Sequence, residues 1–193
     1  MNLDEAMQRV PDFWTKPEPK KGSLGEETDW VDFTELAISG GKMLVGDPEQ
    51  LPQLEQCLCV DLPSGAYSVR AKVMRYGEDK RISRIRVSLK NGSDANIGAV
   101  IGTTGTDIAI IGICDAERIQ AACEENPDEC GEEIKQDAFG IDSSGVVHRD
   151  SCLIPVVSSG FGDGEFPVYE LLSAAGRVGV EIEFIKHNEP YPF

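Results

Sequence analysis

The stretch Ala66-Tyr67-Ser68-Val69-Arg70-Ala71-Lys72-Val73-Met74 decides the fold. Apolar side chains alternate with polar ones along it, which is the period of a β-strand with one face in a core and the other in water. The run from Arg84 to Lys90 has the same alternation, and Tyr76-Gly77-Glu78-Asp79 supplies turn residues between the two runs. The pattern therefore predicts a β-hairpin within a β-rich domain.

Short alternating runs continue on both sides of this hairpin, separated by Gly, Pro, Asn and Asp. They predict about eleven strands, whereas helical spacing is confined to short segments at residues 2–9, 116–124 (with Asp115 as N-cap) and 127–136. The fold class predicted is mainly β: an antiparallel β-sandwich or open barrel with a short acidic helical insert. We expect a helix and an extended arm or linker at 1–29, one β-rich domain at 30–187 and a tail at 188–193.

Two local predictions concern the segments on either side of the insert. Residues 95–101 and 107–113 are apolar enough for strands buried on both faces, and Gly102-Thr103-Thr104-Gly105-Thr106 between them predicts a hairpin loop. After the insert, Phe139-Gly140-Ile141-Asp142 is expected to resume the strands.

The composition is that of a globular protein with a strong acidic excess. The chain has 193 residues, of which 18 are basic and 34 acidic, so its net charge is −16. That balance disfavours nucleic acid and anionic membranes as partners. Acidic residues follow the first methionine, no apolar run approaches membrane-spanning length, and we expect a cytoplasmic protein whose six cysteines are free thiols. The sequence indicates no cofactor.

Charge is concentrated in two segments of opposite sign. Residues 70–90 carry a net charge of +6 and residues 124–137 a net charge of −6. Either the acidic helices lie across the basic face of the hairpin, or the acidic segment is a solvated loop with no partner. Both segments could engage a charged protein partner, and the candidate partner-binding residues are Arg70, Lys72, Arg84, Arg86, Glu129, Glu132 and Glu133.

A glycine-rich loop in Ser158-Ser159-Gly160-Phe161-Gly162-Asp163-Gly164-Glu165-Phe166-Pro167-Val168-Tyr169 is the second candidate site. It combines three glycines with aromatic and acidic side chains, which suits either ligand binding or a structural turn. The candidate ligand-binding residues are Ser159, Asp163, Glu165, Tyr169 and Tyr67.

Catalytic and metal-binding patterns are weak. The G-x-S-x-G spacing of a serine nucleophile is absent, and His148 and His187 are the only histidines. Cys123, Cys130, His148 and Cys152 are suitable zinc ligands by type, but no Cys-x-x-Cys pair accompanies them. These observations favour a non-enzymatic binding or protein-interaction domain. The alternative is a metal-assisted hydrolase that uses Asp163, Glu165 and a further carboxylate.

Three motifs resemble those of a bacterial family called domain of unknown function 4241. Ser159-Gly160-Phe161-Gly162-Asp163-Gly164-Glu165-Phe166-Pro167-Val168-Tyr169 is similar to its closing motif, Gly41 to Pro48 to its early strand, and Pro63 to Val69 to its P-x-G-x-Y-x-V turn and strand. Thr103 to Asp107 departs from the family pattern of an aspartate with small residues. The resemblance covers about Leu36 to Ile185 and implies a bacterial β-rich protein, some of whose relatives lie beside toxin and immunity genes.

Overall fold

Twelve strands provide most of the regular structure in residues 3–7, 19–90, 95–141 and 143–193, the part of the chain that the computed structural model describes. The strands are β1 (Glu26–Glu27), β2 (Val31–Ile38), β3 (Lys42–Gly46), β4 (Leu58–Asp61), β5 (Gly65–Tyr76), β6 (Asp79–Leu89), β7 (Asn96–Thr106), β8 (Ile110–Asp115), β9 (Ser144–Arg149), β10 (Cys152–Ser158), β11 (Gly164–Ser173) and β12 (Gly176–Glu183). The helices are α1 (Leu3–Met7), α2 (Ala116–Ala122) and α3 (Pro127–Phe139), with 3-10 turns at Pro48–Gln50 and Leu54–Gln56.

The strands form two antiparallel sheets, which confirms the predicted mainly-β class. The large sheet has the order β1-β5-β6-β12-β11-β7, with β2 also paired to β5, and the small sheet has the order β4-β3-β8-β10-β9. Apolar side chains of both sheets interlock between them, among them Tyr67, Val69, Met43 and Ile113, all completely buried. The molecule is therefore a sandwich whose main core lies between the sheets.

The central hairpin is present as predicted. Tyr67 pairs with Leu89 and Tyr76 with Asp79 in the register of β5 against β6, and Gly77 takes the positive φ of 64° that the tight turn requires. Alternation then places Tyr67, Val69, Ala71 and Val73 in the core, and Arg70 and Lys72 on the outer face.

A helical layer covers the outer face of the small sheet. The Asp115 side chain caps α2 by accepting a hydrogen bond from the Arg118 backbone N–H (2.8 Å), as the sequence predicted. Helix α3 packs on the 3-10 turn at 48–50 and on β9. A Cβ at Gly131 would clash with the Glu49 carbonyl oxygen, so this glycine lets the helix lie directly against the backbone beneath it.

Two local predictions were wrong. Gly102 to Thr106 is not a hairpin loop but the second half of β7, a strand that exposes Ile97 and Val100 and belongs to a different sheet from β8. The glycines fit a strand because the Leu58 side chain packs where a Gly102 Cβ would project. The predicted strand at Phe139 is also absent, since α3 continues through Phe139.

Both ends of the described chain join the domain. Leu3, Ala6 and Met7 of α1 are buried, within the predicted helix at 2–9. The arm at 19–29 lies against the domain, since β1 pairs with β5 and Leu24 forms a β-bridge with Pro190. Phe13 and Trp14, the proposed anchors of this arm, lie outside the described residues. None of the helices in the described part of the chain is long and apolar enough to cross a membrane.

Candidate functional site

The loop at Ser158 to Tyr169 forms a tightly bonded turn. Gly160, Gly162 and Gly164 all have positive φ angles, and the buried Ser159 hydroxyl donates to the Gly162 carbonyl (2.7 Å). The Phe161 ring lies 5.6 Å from that of Tyr76, within a cluster of aromatic rings. Asp163 and Glu165 are exposed. The glycines and aromatic residues of this loop therefore have structural roles.

The structure does not bring the five candidate ligand-binding residues together. Tyr67 is buried in the core, where its hydroxyl donates to the Pro63 carbonyl (2.6 Å) and where burial raises its pKa to about 12. Tyr169 lies on the outer face of the large sheet, with its hydroxyl 3.2 Å from a Glu183 carboxylate oxygen. Ser159 is bonded within its turn, and only Asp163 and Glu165 present free carboxylates nearby.

The outer face of the large sheet carries the predicted basic residues, but acidic partners lie among them. Arg86 donates to Glu181 through Nε (2.8 Å) and Nη2 (2.5 Å), and Arg84 donates to Glu181 (3.1 Å) and to Glu183. Lys72 lies 2.9 Å from Glu27. We call these six residues, Glu27, Lys72, Arg84, Arg86, Glu181 and Glu183, the ionic network.

Trp30 and Ser83 enclose part of the ionic network. The Arg86 guanidinium lies 4.5 Å from the centroid of the Trp30 ring, and Lys72 Nζ lies 5.5 Å from it. The Glu181 side chain is only 1% exposed. Burial by itself would raise the pKa of Glu27, but hydrogen bonds from Ser83 and Lys72, with the charges of Lys72 and Arg84, lower that pKa below its usual value. Three of the four predicted basic partner-binding residues are thus already paired.

The fourth basic candidate, Arg70, differs from the other three. It lies directly across from Arg86 in the register of β5 and β6. Its Nε is buried and has no hydrogen-bond partner among the described residues. The sequence analysis did not pair Glu181 and Glu183 with the arginines. The signal available was the shared spacing of two residues in Arg84/Arg86 and Glu181/Glu183.

The acidic helices do not lie across the basic face, so the first of the two alternatives left open by the sequence is wrong; the acidic segment is exposed, but most of it is helix α3 and not a loop. Helix α3 packs on the 3-10 turn at 48–50 and on β9 of the small sheet, and α2 packs on β3, β8 and β10 of the same sheet. The ionic network lies on the outer face of the other sheet, where Glu27, Glu181 and Glu183 supply the negative charge.

The insert exposes seven carboxylates, which we together call the acidic surface: Glu124, Glu125, Asp128, Glu129, Glu132, Glu133 and Asp137. Among the described residues, two cations reach the acidic surface: Lys135 donates to Glu132 (2.6 Å) and Glu49 (2.9 Å), and Arg149 donates to Asp137 (2.7 Å). A cleft of about 540 Å³ between α2, α3 and the β9–β10 turn is lined by Glu124, Glu125, Glu129 and Glu133.

A disulfide between Cys123 and Cys130 joins the end of α2 to the first turn of α3 beside this cleft. The expectation that all six cysteines are free was therefore wrong for this pair, while Cys57, Cys59, Cys114 and Cys152 are free. The pairing also removes two of the four residues considered as zinc ligands. Within the described ranges, no group of three or more His, Cys, Asp or Glu side chains is arranged to hold a metal ion.

A further cleft of about 320 Å³ lies where β2 approaches the β9–β10 turn, and His148, Asp115, Asp150 and Arg118 line it. Asp115 is committed to structure, because it also accepts hydrogen bonds from the Ser39 backbone N–H (2.5 Å) and hydroxyl (3.0 Å).

Comparisons of the chain with protein-family models, with curated proteins and with solved structures gave no match.

Proposed function

We propose that this protein is a non-enzymatic protein-interaction domain that binds a basic partner protein through the acidic surface. The observation that carries the proposal is the difference between the two charged regions. Lys72, Arg84 and Arg86 of the large sheet are held by Glu27, Glu181 and Glu183, whereas seven exposed carboxylates on α3 and the α2–α3 connection have Lys135 and Arg149 as their cationic contacts among the described residues.

An exposed group of like charges attracts a partner of the opposite charge. Its field speeds association with a basic surface and disfavours acidic competitors. The net charge of −16 adds to this field over the whole molecule. The proposal extends to a bacterial cytoplasmic protein whose partner is a basic toxin, in line with the family that the sequence resembles.

The test is a charge reversal of α3. Glu129, Glu132 and Glu133 are replaced together by lysine, and partners are captured from a lysate of the source organism with the wild type and with the variant. We expect the variant to lose partners that the wild type retains. Affinity for each purified partner should fall by more than about tenfold, because three attractive charges become repulsive.

A matched control separates a specific surface from total charge. Asp61, Asp163 and Glu165 are exposed carboxylates outside the insert, and their replacement by lysine changes the net charge by the same amount. The control variant should recover the same partners as the wild type. Equal recovery by the helix variant would contradict the proposal, and equal loss by both variants would show that only net charge matters.

A further inference from the structure

An apolar groove lies at the carboxyl end of α3, next to the acidic surface. Phe139 and Ile141 form one wall, and Ile108, Ile110 and Val157 form the other. The Phe139 side chain is 53% exposed although it is a large aromatic residue at a helix end. Aromatic side chains bury a large apolar area in interfaces, so an exposed aromatic residue beside an apolar depression is suited to contact a partner.

The position of Phe139 on α3 connects this groove to the acidic surface. Asp128 and Glu132 precede Phe139 by eleven and seven residues, spacings that return to nearly the same side of an α-helix. At 1.5 Å per residue, the carboxylates lie about 16 Å and about 10 Å from the aromatic ring along the helix axis. One stripe of α3 therefore presents the carboxylates of Asp128 and Glu132, the second of which also accepts a hydrogen bond from Lys135, followed by an apolar site.

The size and charge of the groove indicate what occupies it. Its volume of about 260 Å³ is below the range of about 300 to 1,000 Å³ of typical small-molecule sites, so it suits one apolar side chain better than a cofactor. A second copy of this chain would bring a second acidic surface against the first, which like charges disfavour. A basic partner segment satisfies both parts of the stripe.

Resting on the proposed function, we infer that the partner binds through a basic segment in which one apolar side chain acts as an anchor. The anchor fills the groove beside Phe139. Lysine or arginine residues of the same segment lie over Glu132 and Asp128. In a helical partner segment the cations are about seven and about eleven residues from the anchor, matching the spacing on α3.

The test uses two synthetic helical peptides of equal charge. Each carries lysines about seven and about eleven residues from a terminal residue, which is leucine in one peptide and alanine in the other. Affinities are measured by fluorescence anisotropy at two salt concentrations. We expect the leucine peptide to bind about tenfold or more tightly, as burial of a leucine side chain provides. Higher salt should weaken both peptides and leave their ratio unchanged.

Protein variants then locate the anchor site. Phe139→Ala should remove most of the difference between the two peptides, and Ile108→Ala on the opposite wall provides an independent second test. Glu132→Lys should weaken both peptides by the same factor. Phe193→Ala is the matched control, because this ring is 63% exposed but belongs to the aromatic cluster near the C-terminus. Thermal melting of each variant confirms that it is folded.

The outcomes distinguish the anchor groove from the binding of a basic partner by the acidic surface. Equal affinity of the wild type for the two peptides, with both bound, overturns the anchor groove and leaves the acidic surface standing. An unchanged ratio in both Phe139→Ala and Ile108→Ala also overturns the groove. Failure of both peptides to bind overturns the proposed function together with this inference.

Discussion

The basic residues of the ionic network and the carboxylates of the acidic surface come from two segments whose net charges are equal in size and opposite in sign, residues 70–90 and 124–137. Their surroundings differ, because the charges of the ionic network are paired and largely buried whereas those of the acidic surface are exposed. In the ionic network, Arg84 and Arg86 share the carboxylate of Glu181, a side chain 1% exposed. On the acidic surface, Glu129 and Glu133 are open to solvent. The comparison shows that a local charge count does not predict which charges remain available for a partner.

The geometry of the two elements explains the difference. Neighbouring strands place residues from distant parts of the chain side by side, so Arg86 of β6 lies directly opposite Glu181 of β12. Helix α3 instead exposes its acidic side chains, and within the described residues the cations that reach them are Lys135 of the same segment and Arg149 of β9. A sheet thus neutralises charge that a surface helix exposes.

The largest effect should come from breaking the ionic network at its centre. Glu181→Gln leaves two largely buried guanidinium groups without their shared carboxylate, and we expect a loss of about 3 to 5 kcal/mol in the free energy of unfolding. Urea denaturation measures it. Glu170→Gln, which removes a carboxylate paired with the more exposed Arg177 (2.9 Å), is the control and should cost about 1 kcal/mol or less. Equal losses of unfolding free energy in Glu181→Gln and Glu170→Gln would show that burial of the ionic network does not strengthen its ion pairs.

The next effect concerns the covalent link within the acidic surface. Cys123 and Cys130 close a loop with a sequence separation of 7, so replacing both by serine should destabilise the protein by about 2 to 3 kcal/mol. A reductant should lower the urea midpoint of the wild type but not of this variant. Cys57→Ser with Cys59→Ser, at free cysteines, should keep the response to reductant. An unresponsive wild type would contradict the prediction.

A smaller effect should appear as a pH dependence at Glu27. Its folded-state pKa lies below the usual 4.5, so ionised Glu27 stabilises the fold above that value, and the contribution disappears as pH falls through the folded-state pKa. The stability difference between the wild type and Glu27→Gln should therefore shrink on acidification below about pH 4. Ser83→Ala, which removes a hydrogen bond of 2.7 Å to Glu27, should shift this loss to higher pH. A difference constant with pH would refute the assignment.

The smallest effect on stability is expected where the effect on binding is largest. The triple substitution Glu129→Lys, Glu132→Lys and Glu133→Lys should change the unfolding free energy by less than about 1 kcal/mol, because exposed charges contribute little. Thermal melting checks this directly. Charge reversal within the ionic network is the contrasting case, and Arg84→Glu should destabilise the fold strongly. A large loss in the helix variant would mean that the acidic surface is structural.

Much of the fold could be predicted because its signals are local. Alternation predicted β5 and β6, and a single side chain, Asp115, predicted the start of α2. The errors occurred where tertiary contacts outweigh local preference. Gly102 is a residue type typical of turns, but it lies in a strand because the Leu58 side chain packs over it. Phe139 is a residue type favoured in strands, but it ends a helix whose buried face includes Ile134 and Ala138.

The candidate site could be predicted only in part. The seven carboxylates of the acidic surface were evident from the sequence, since a helix exposes what it does not pack. The pairing of Arg84 and Arg86 with Glu181 was not evident, because it depends on β6 and β12 becoming neighbours across about a hundred residues of chain. The Cys123–Cys130 disulfide and the groove beside Phe139 likewise depend on how α2 and α3 meet the small sheet.

The close packing of α3 on the Glu49 backbone affects the energetics of association. Because Gly131 lets this helix rest on the Glu49 backbone, while Cys123–Cys130 and Lys135 hold its first and middle turns, the carboxylates have a defined arrangement before any partner arrives. A preorganised surface loses little conformational entropy when it binds. Gly131→Ala would push α3 away from the Glu49 backbone and loosen its packing. The acidic surface would then lose more conformational entropy when a partner binds, and the affinity would be lower.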